Sequence, residues 1–92
     1  MHAVVVTATI TPDQFEEARK HLRDNVVPRV SQAPGLVKAY WAIRDDRAQG
    51  LSFLVFKTKE DAENAAKMVR DSPPQTGVTL AAVEVREVVA DT

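Results

Sequence analysis

Apolar and polar positions recur along the chain with two different periods, and each period predicts an element. Residues 2–10 carry Val4, Val5, Val6, Thr7, Thr9 and Ile10. β-Branched and apolar residues fill both parities, which predicts a strand covered on both faces. Thr11-Pro12-Asp13-Gln14 follows. Thr11 is a good N-cap, Pro12 suits the first helical position, and Gln14 would close a capping box. Phe15, Ala18, Leu22, Val26 and Val30 then recur at spacings of three and four. That is one stripe of a helix, backed by a charged face of Glu16, Arg19, Lys20, Arg23 and Asp24. Pro28 interrupts the stripe by removing a helical hydrogen bond, so a kink is expected, or a restart with Pro28 opening a short second helix. Ala33-Pro34-Gly35 ends the segment.

Residues 36–44 read as a second strand, with Val37, Ala39, Trp41 and Ile43 on one parity and Tyr40 on the other. Residues 45–50 form a polar hairpin loop, and residues 51–57 a third strand that is apolar on both parities. Thr58 is the expected N-cap of a last helix, with Asp61 at its third position. That helix shows Ala62, Ala65, Ala66 and Val69, small residues that can lie close to a sheet. Ser72-Pro73-Pro74 stops it, and residues 78–89 read as the last strand.

The order is strand, helix, strand, strand, helix, strand. It predicts an α+β, ferredoxin-like βαββαβ fold, a four-stranded antiparallel sheet with two helices on one face. The 92 residues suffice for a single domain, residues 1–92, that buries about 60–65% of its unfolded surface. Helices on one face leave the other face bare, and a bare face in water should be polar at every second position. Strands 1 to 3 are apolar on both parities instead, so a homodimer packed through the sheet face is expected.

Composition removes several classes. Twelve basic residues meet thirteen acidic ones, with no basic run longer than two, so no nucleic-acid partner is expected. There is no cysteine, hence no disulfide or thiolate chemistry, which fits a reducing cytoplasm. The N-terminus lacks a basic region followed by an apolar one, so no signal peptide is read there. No apolar run approaches the roughly 20 residues of a membrane span. Two histidines on separate elements make no metal site, and three isolated glycines make no phosphate loop.

Two stretches carry a family resemblance. Val26-Val27-Pro28-Arg29-Val30-Ser31-Gln32-Ala33-Pro34-Gly35-Leu36-Val37 ends a helix in a Pro-containing turn, then Pro-Gly and an apolar strand start. Phe56-Lys57-Thr58-Lys59-Glu60-Asp61-Ala62 joins a strand to a helix. The chain resembles the antibiotic-biosynthesis-monooxygenase-like (ABM) domains of the dimeric α/β-barrel superfamily, over about residues 4–89. The resemblance implies a homodimeric α/β barrel with a pocket between helices and sheet, and an activity drawn from a broad set. That set includes quinol or polyketide monooxygenases without cofactor, haem-degrading monooxygenases, isomerases, and proteins without known activity.

The haem degraders of that family use an Asn on strand 1, a Trp near the end of strand 3 and a His from the second half. Here Val6 or Thr7 and Phe56 occupy the first two regions, and no His follows His21. Haem iron needs an axial ligand, and Met68 reads as core filling rather than as that ligand. Oxygenation without metal or flavin needs only an apolar pocket, a base and orienting groups, because the substrate supplies the electrons. The candidates are His21 as base and Asn25 as polar orienter, with Trp41, Phe56 and Leu22 contacting an aromatic or quinol-type substrate. Against these stand blander readings: Trp41 as plain core, His21 as a surface histidine, Tyr40 as interface packing, and Asp45-Asp46 as a solvated turn. Arg44 is expected to pair with Asp46 or Glu84, and Arg86 with its glutamate neighbours. The rival functions are a non-catalytic, small-ligand-binding or stress-related dimer and a purely structural dimerisation module.

Overall fold

The computed structural model describes residues 1–73, 75 and 77–92. Four strands, β1 (His2–Ile10), β2 (Leu36–Ile43), β3 (Gln49–Phe56) and β4 (Val78–Glu87), form one antiparallel sheet in the order β2-β3-β1-β4. The helical layer has a first run over residues 12–31 and a single long helix, α3 (Lys59–Asp71). This is the α+β ferredoxin-like arrangement that the element order predicted. The Ser72-Pro73-Pro74 stop falls partly on Pro74, outside the described residues.

The first run is not one helix. It opens with a 3-10 turn (Pro12–Gln14), continues as α1 (Phe15–His21), widens into a π-helical turn (Leu22–Val26) and resumes as α2 (Val27–Ser31). The expected capping box is absent. Gln14 N–H donates to the Thr11 carbonyl at 2.9 Å, and the Thr11 side chain makes no capping bond. A 3-10 turn satisfies that amide through the backbone, which leaves the hydroxyl no role. Pro28 explains the π turn. It has no N–H for the Asp24 carbonyl, and the Val27 N–H reaches back five residues to the Leu22 carbonyl instead. The expected restart at Pro28 is found, with the proline in the first turn of α2.

α3 follows the prediction closely. Asp61 N–H donates to Thr58 Oγ1 at 3.1 Å, which caps its start. Ala62, Ala65 and Ala66 are buried against the sheet. Their small side chains let the helix lie close on β1 and β4. The buried cluster beneath it contains Val4, Val6, Leu54 and Phe56, and Val30, Ala33, Leu36, Ala39, Trp41, Val69, Val83 and Val85 pack around it. At Gly35 the backbone adopts φ +77°, and a Cβ there would collide with the Asp61 carboxylate, so only glycine fits between β2 and α3.

Registry sorts the strand residues into two faces. The rows His2–Phe56, Val4–Leu54 and Val6–Ser52 belong to the helix side, continued in β2 by Leu36, Ala39 and Trp41. Ala3–Val55, Val5–Phe53 and Thr7–Leu51 belong to the open side, continued by Lys38, Tyr40 and Ala42. A bulge between Thr7 and Ala8 shifts the pairing with β4. β4 is an edge strand, and Arg70 on α3 donates to its Val83 carbonyl at 2.9 Å, occupying part of that free edge.

Candidate functional site

The two helical elements cover the sheet unequally. α3 lies close along β1, β3 and β4, and no strand is approached as closely by α1 or the π turn. Of the first run's apolar stripe, Ala18 is buried and Val30 packs against the buried cluster, whereas Phe15, Leu22 and Val26 are only half-buried. The run starts beside the Ile10 end of β1 and returns antiparallel to it. The sheet residues on the helix side of that region are Trp41 and Ser52, half-buried, then Gly50 and Ile43. The candidate site is the region between Phe15, Leu22 and Val26 of the helical run and Trp41, Ser52 and Ile43 on the helix side of the sheet.

The β2–β3 hairpin closes one end. Asp46 accepts from Arg44 Nε and from the Ala48 N–H, both at 2.9 Å, and a second Arg44 nitrogen lies 2.9 Å from its other oxygen. These bonds hold the Asp46 carboxyl below its ordinary range, Arg44 being the larger cause. The turn they lock puts Arg47 at φ +62°. Its guanidinium sits 4.6 Å over the Phe15 ring and 3.9 Å from Glu16. A cation over an aromatic face ties the hairpin to the start of α1. Asp45-Asp46 is therefore a turn-forming pair, as expected, and Arg44 takes Asp46 as its partner.

His21 and Asn25 meet. The Asn25 amide nitrogen lies 3.3 Å from His21 Nδ1 across the π turn, with Asn25 exposed and His21 half-buried. The pairing depends on helical spacing, since residues four apart share a face. Leu22 and Trp41 are both half-buried. Phe56 cannot contact a ligand: its relative exposure is 0%, and it is one of the largest fully buried side chains. Met68 is exposed on α3, in place of the expected core position. The reason is its place on the helix: Met68 lies about a third of a turn off the stripe of Ala62, Ala65, Ala66 and Val69 that faces the sheet. The sequence reading did not single out Ser52 or Arg47. Ser52 was visible as the one polar residue on the Leu54 parity of β3; Arg47 depends on a left-handed turn residue that no pattern announced.

Two shallow depressions mark the described surface. One of about 260 Å³ is lined by Arg70 and residues 80–83 at the β4 bulge. The other, about 210 Å³, is lined by Ala42, Ile43, Arg44, Gln49, Gly50 and Leu51 at the hairpin. Both fall short of the roughly 300 Å³ at which closed ligand pockets begin. Neither depression is lined by Phe15, Leu22, Val26, Trp41 or Ser52. Among the described residues no cluster of three or more potential metal ligands occurs, and no helix is long and apolar enough to cross a membrane.

No protein-family model matches the chain, and no curated protein is similar to it in sequence. Solved structures do match over its full length. The heme-degrader MhuD from Mycobacterium tuberculosis, with two hemes bound in its active site, superposes with a TM-score of 0.74 at 13% identity, covering 100% of this chain and 99% of that one. A candidate antibiotic biosynthesis monooxygenase from Nitrosomonas europaea gives 0.70 at 16% identity, covering 98% and 100%. A dimeric ferredoxin-like protein from an uncultured marine organism gives 0.67 at 12% identity, covering 100% and 98%. The fold is that of the ABM-like proteins, as the two sequence stretches suggested.

Proposed function

We propose that the chain binds a planar aromatic molecule of the phenol or quinol class in the cleft between residues 12–31 and the sheet, and oxygenates it without metal or flavin. Trp41, half-buried on the helix side of the sheet at the rim of the core, carries this reading. A flat ring needs only about 3.5 Å to either contact surface, so it wedges between Trp41 and the helix stripe without a closed chamber. The fold neighbours support a planar ligand, since MhuD holds heme in its active site.

The chemistry asks little of the protein. A base removes the acidic proton of the phenol, and the resulting anion gives its electrons to dioxygen. In an anthrone, whose ring CH2 loses that proton to give the phenol form's anion, a carbon–oxygen bond forms at the former CH2 carbon, the O–O bond breaks, the carbon becomes a carbonyl and the second oxygen atom departs as one water. His21 is the base, and Asn25 positions it. With the Asn25 amide turned so that its oxygen accepts from Nδ1–H, the Nε2 lone pair is free to take the proton. Leu22 and Trp41 exclude water from the ring.

The active form is a homodimer through the open sheet face. Tyr40 is 59% exposed, Leu51 42% and Phe53 38%, and Val5 and Phe53 pair across strands between them. A second copy of the same face is the covering that such a patch calls for.

The test is a panel of anthrones, quinols and haem, followed by Trp41 fluorescence and oxygen uptake. Saturable quenching with oxygen consumption supports the oxygenase. Quenching without consumption leaves a binding protein. A haem Soret shift abolished by His21→Gln assigns the cleft to haem. His21→Gln is expected to lower oxygen uptake about 100-fold with quenching unchanged; unchanged uptake contradicts the role of His21.

A further inference from the structure

The open face of the sheet carries its charges on the two outer strands. Strand pairing arranges that face in rows: Lys38–Val55–Ala3–Arg86, then Tyr40–Phe53–Val5–Glu84, then Ala42–Leu51–Thr7–Ala82. The inner strands supply apolar residues and one threonine. Lys38 stands on the β2 edge, and Glu84, the one acid of these rows, on the β4 edge. Glu84 accepts from Arg86 at 2.6 Å. Lys38 has no carboxylate partner among the described residues; its ammonium lies 5.5 Å from the centre of the Tyr40 ring. Lys38 and Glu84 do not meet within one chain, because three strand spacings of about 4.8 Å separate their strands.

Two sheets packed face to face keep their strands nearly aligned, which leaves two ways to relate them by a twofold axis. With the axis across the strands, β2 lies over β2 and β4 over β4. Lys38 then faces β2 of the other copy, whose open side offers no acid. With the axis along the strands, β2 of each copy lies over β4 of the other. Lys38 then meets the edge that holds the acid, while Val5, Phe53 and Leu51 stack in the middle. We propose that a second copy docks in the latter way, with Lys38 paired to Glu84 of the partner subunit on both flanks of the apolar middle. The inference rests on the homodimer reading above and fixes which edges of the two sheets meet. Packed sheets lie about 10 Å apart, a gap that a lysine and a glutamate side chain span together. Arg86 holds one Glu84 oxygen and leaves the other for the lysine. Charges at the rim of an interface set its register and exclude the wrong one.

The test is sedimentation over a dilution series at low salt, on the wild type, Lys38→Glu, Glu84→Lys and the double exchange. Each single variant places two like-charge contacts in the dimer and should weaken it about ten-fold. The double exchange rebuilds both pairs with reversed sign and should return to within about three-fold of the wild type. Glu84→Lys also gives up the bond to Arg86, so Arg86→Met serves as the control; it loses the same bond and should not weaken the dimer. Unfolding curves show that each chain is folded. Single variants that dimerise like the wild type, or a double exchange as weak as the singles, overturn the pairing and leave the face-to-face dimer standing. A wild type that sediments as a monomer at micromolar concentration overturns both.

Discussion

Phe56 and Trp41 are aromatic residues on the same side of the sheet, and their exposure separates their roles. Phe56 is sealed beneath the alanines of α3. Its truncation to alanine should cost about 3–5 kcal/mol, as for other fully buried aromatics, measured by urea unfolding. Trp41→Ala leaves a half-exposed position and should cost about 2 kcal/mol or less, yet remove ligand binding followed by ligand absorbance. Equal stability losses would contradict this division. Sequence parity placed both on the helix side but could not rank them, because burial depends on which helix comes closer.

Asp46 makes a pH prediction at the same scale. Its folded pKa is depressed, with the Arg44 hydrogen bond the first cause. Its contribution to the hairpin is therefore complete at neutral pH. It fades as pH falls below the ordinary carboxylate value of 3.8 and through the depressed one. A carboxyl resonance of Asp46 titrating at or above that ordinary value would contradict the bidentate turn. Asp46→Asn should loosen Arg47 from Phe15, seen as a lost ring-current shift on the Arg47 side chain.

Among the elements, α3 was the most legible. Its cap, alanine stripe and length follow from residues close in sequence, so Thr58→Ala should cost about 1 kcal/mol, measured by thermal unfolding. No loss would show that the Asp61 amide finds another acceptor. The first run was legible in its stripe and its break at Pro28 but not in its π turn. Whether an amide reaches back four or five residues is decided by one hydrogen bond, and hydrophobic spacing is nearly the same for both. That turn sets the meeting of His21 with Asn25, a pair chosen from residue type and now joined by geometry. Asn25→Ala is expected to reduce oxygen uptake less than His21→Gln and to shift its pH profile. An unchanged profile would show that Asn25 does not orient the imidazole.

For the molecule as a whole, the sheet presents two apolar faces with different geometry. The open face carries Tyr40, Leu51 and Phe53, with Lys38, Glu84 and Arg86 on the same side; the helix face holds the buried cluster under α3. Strand parity announced both faces before any coordinates, because apolar residues filled both. The open face should hold a second copy, so sedimentation at micromolar concentration is expected to give about twice the 10.1 kDa chain mass. Phe53→Lys should return the protein to monomer.

The central claim is that a ligand binds between residues 12–31 and the helix side of the sheet. Side-chain chemical-shift mapping during a 1-naphthol titration tests it directly. The account predicts shifts clustered on Phe15, Leu22, Val26, Trp41 and Ile43, with Tyr40, Leu51 and Phe53 unmoved. Shifts confined to the open face, or to the β4 depression around Arg70, would contradict it.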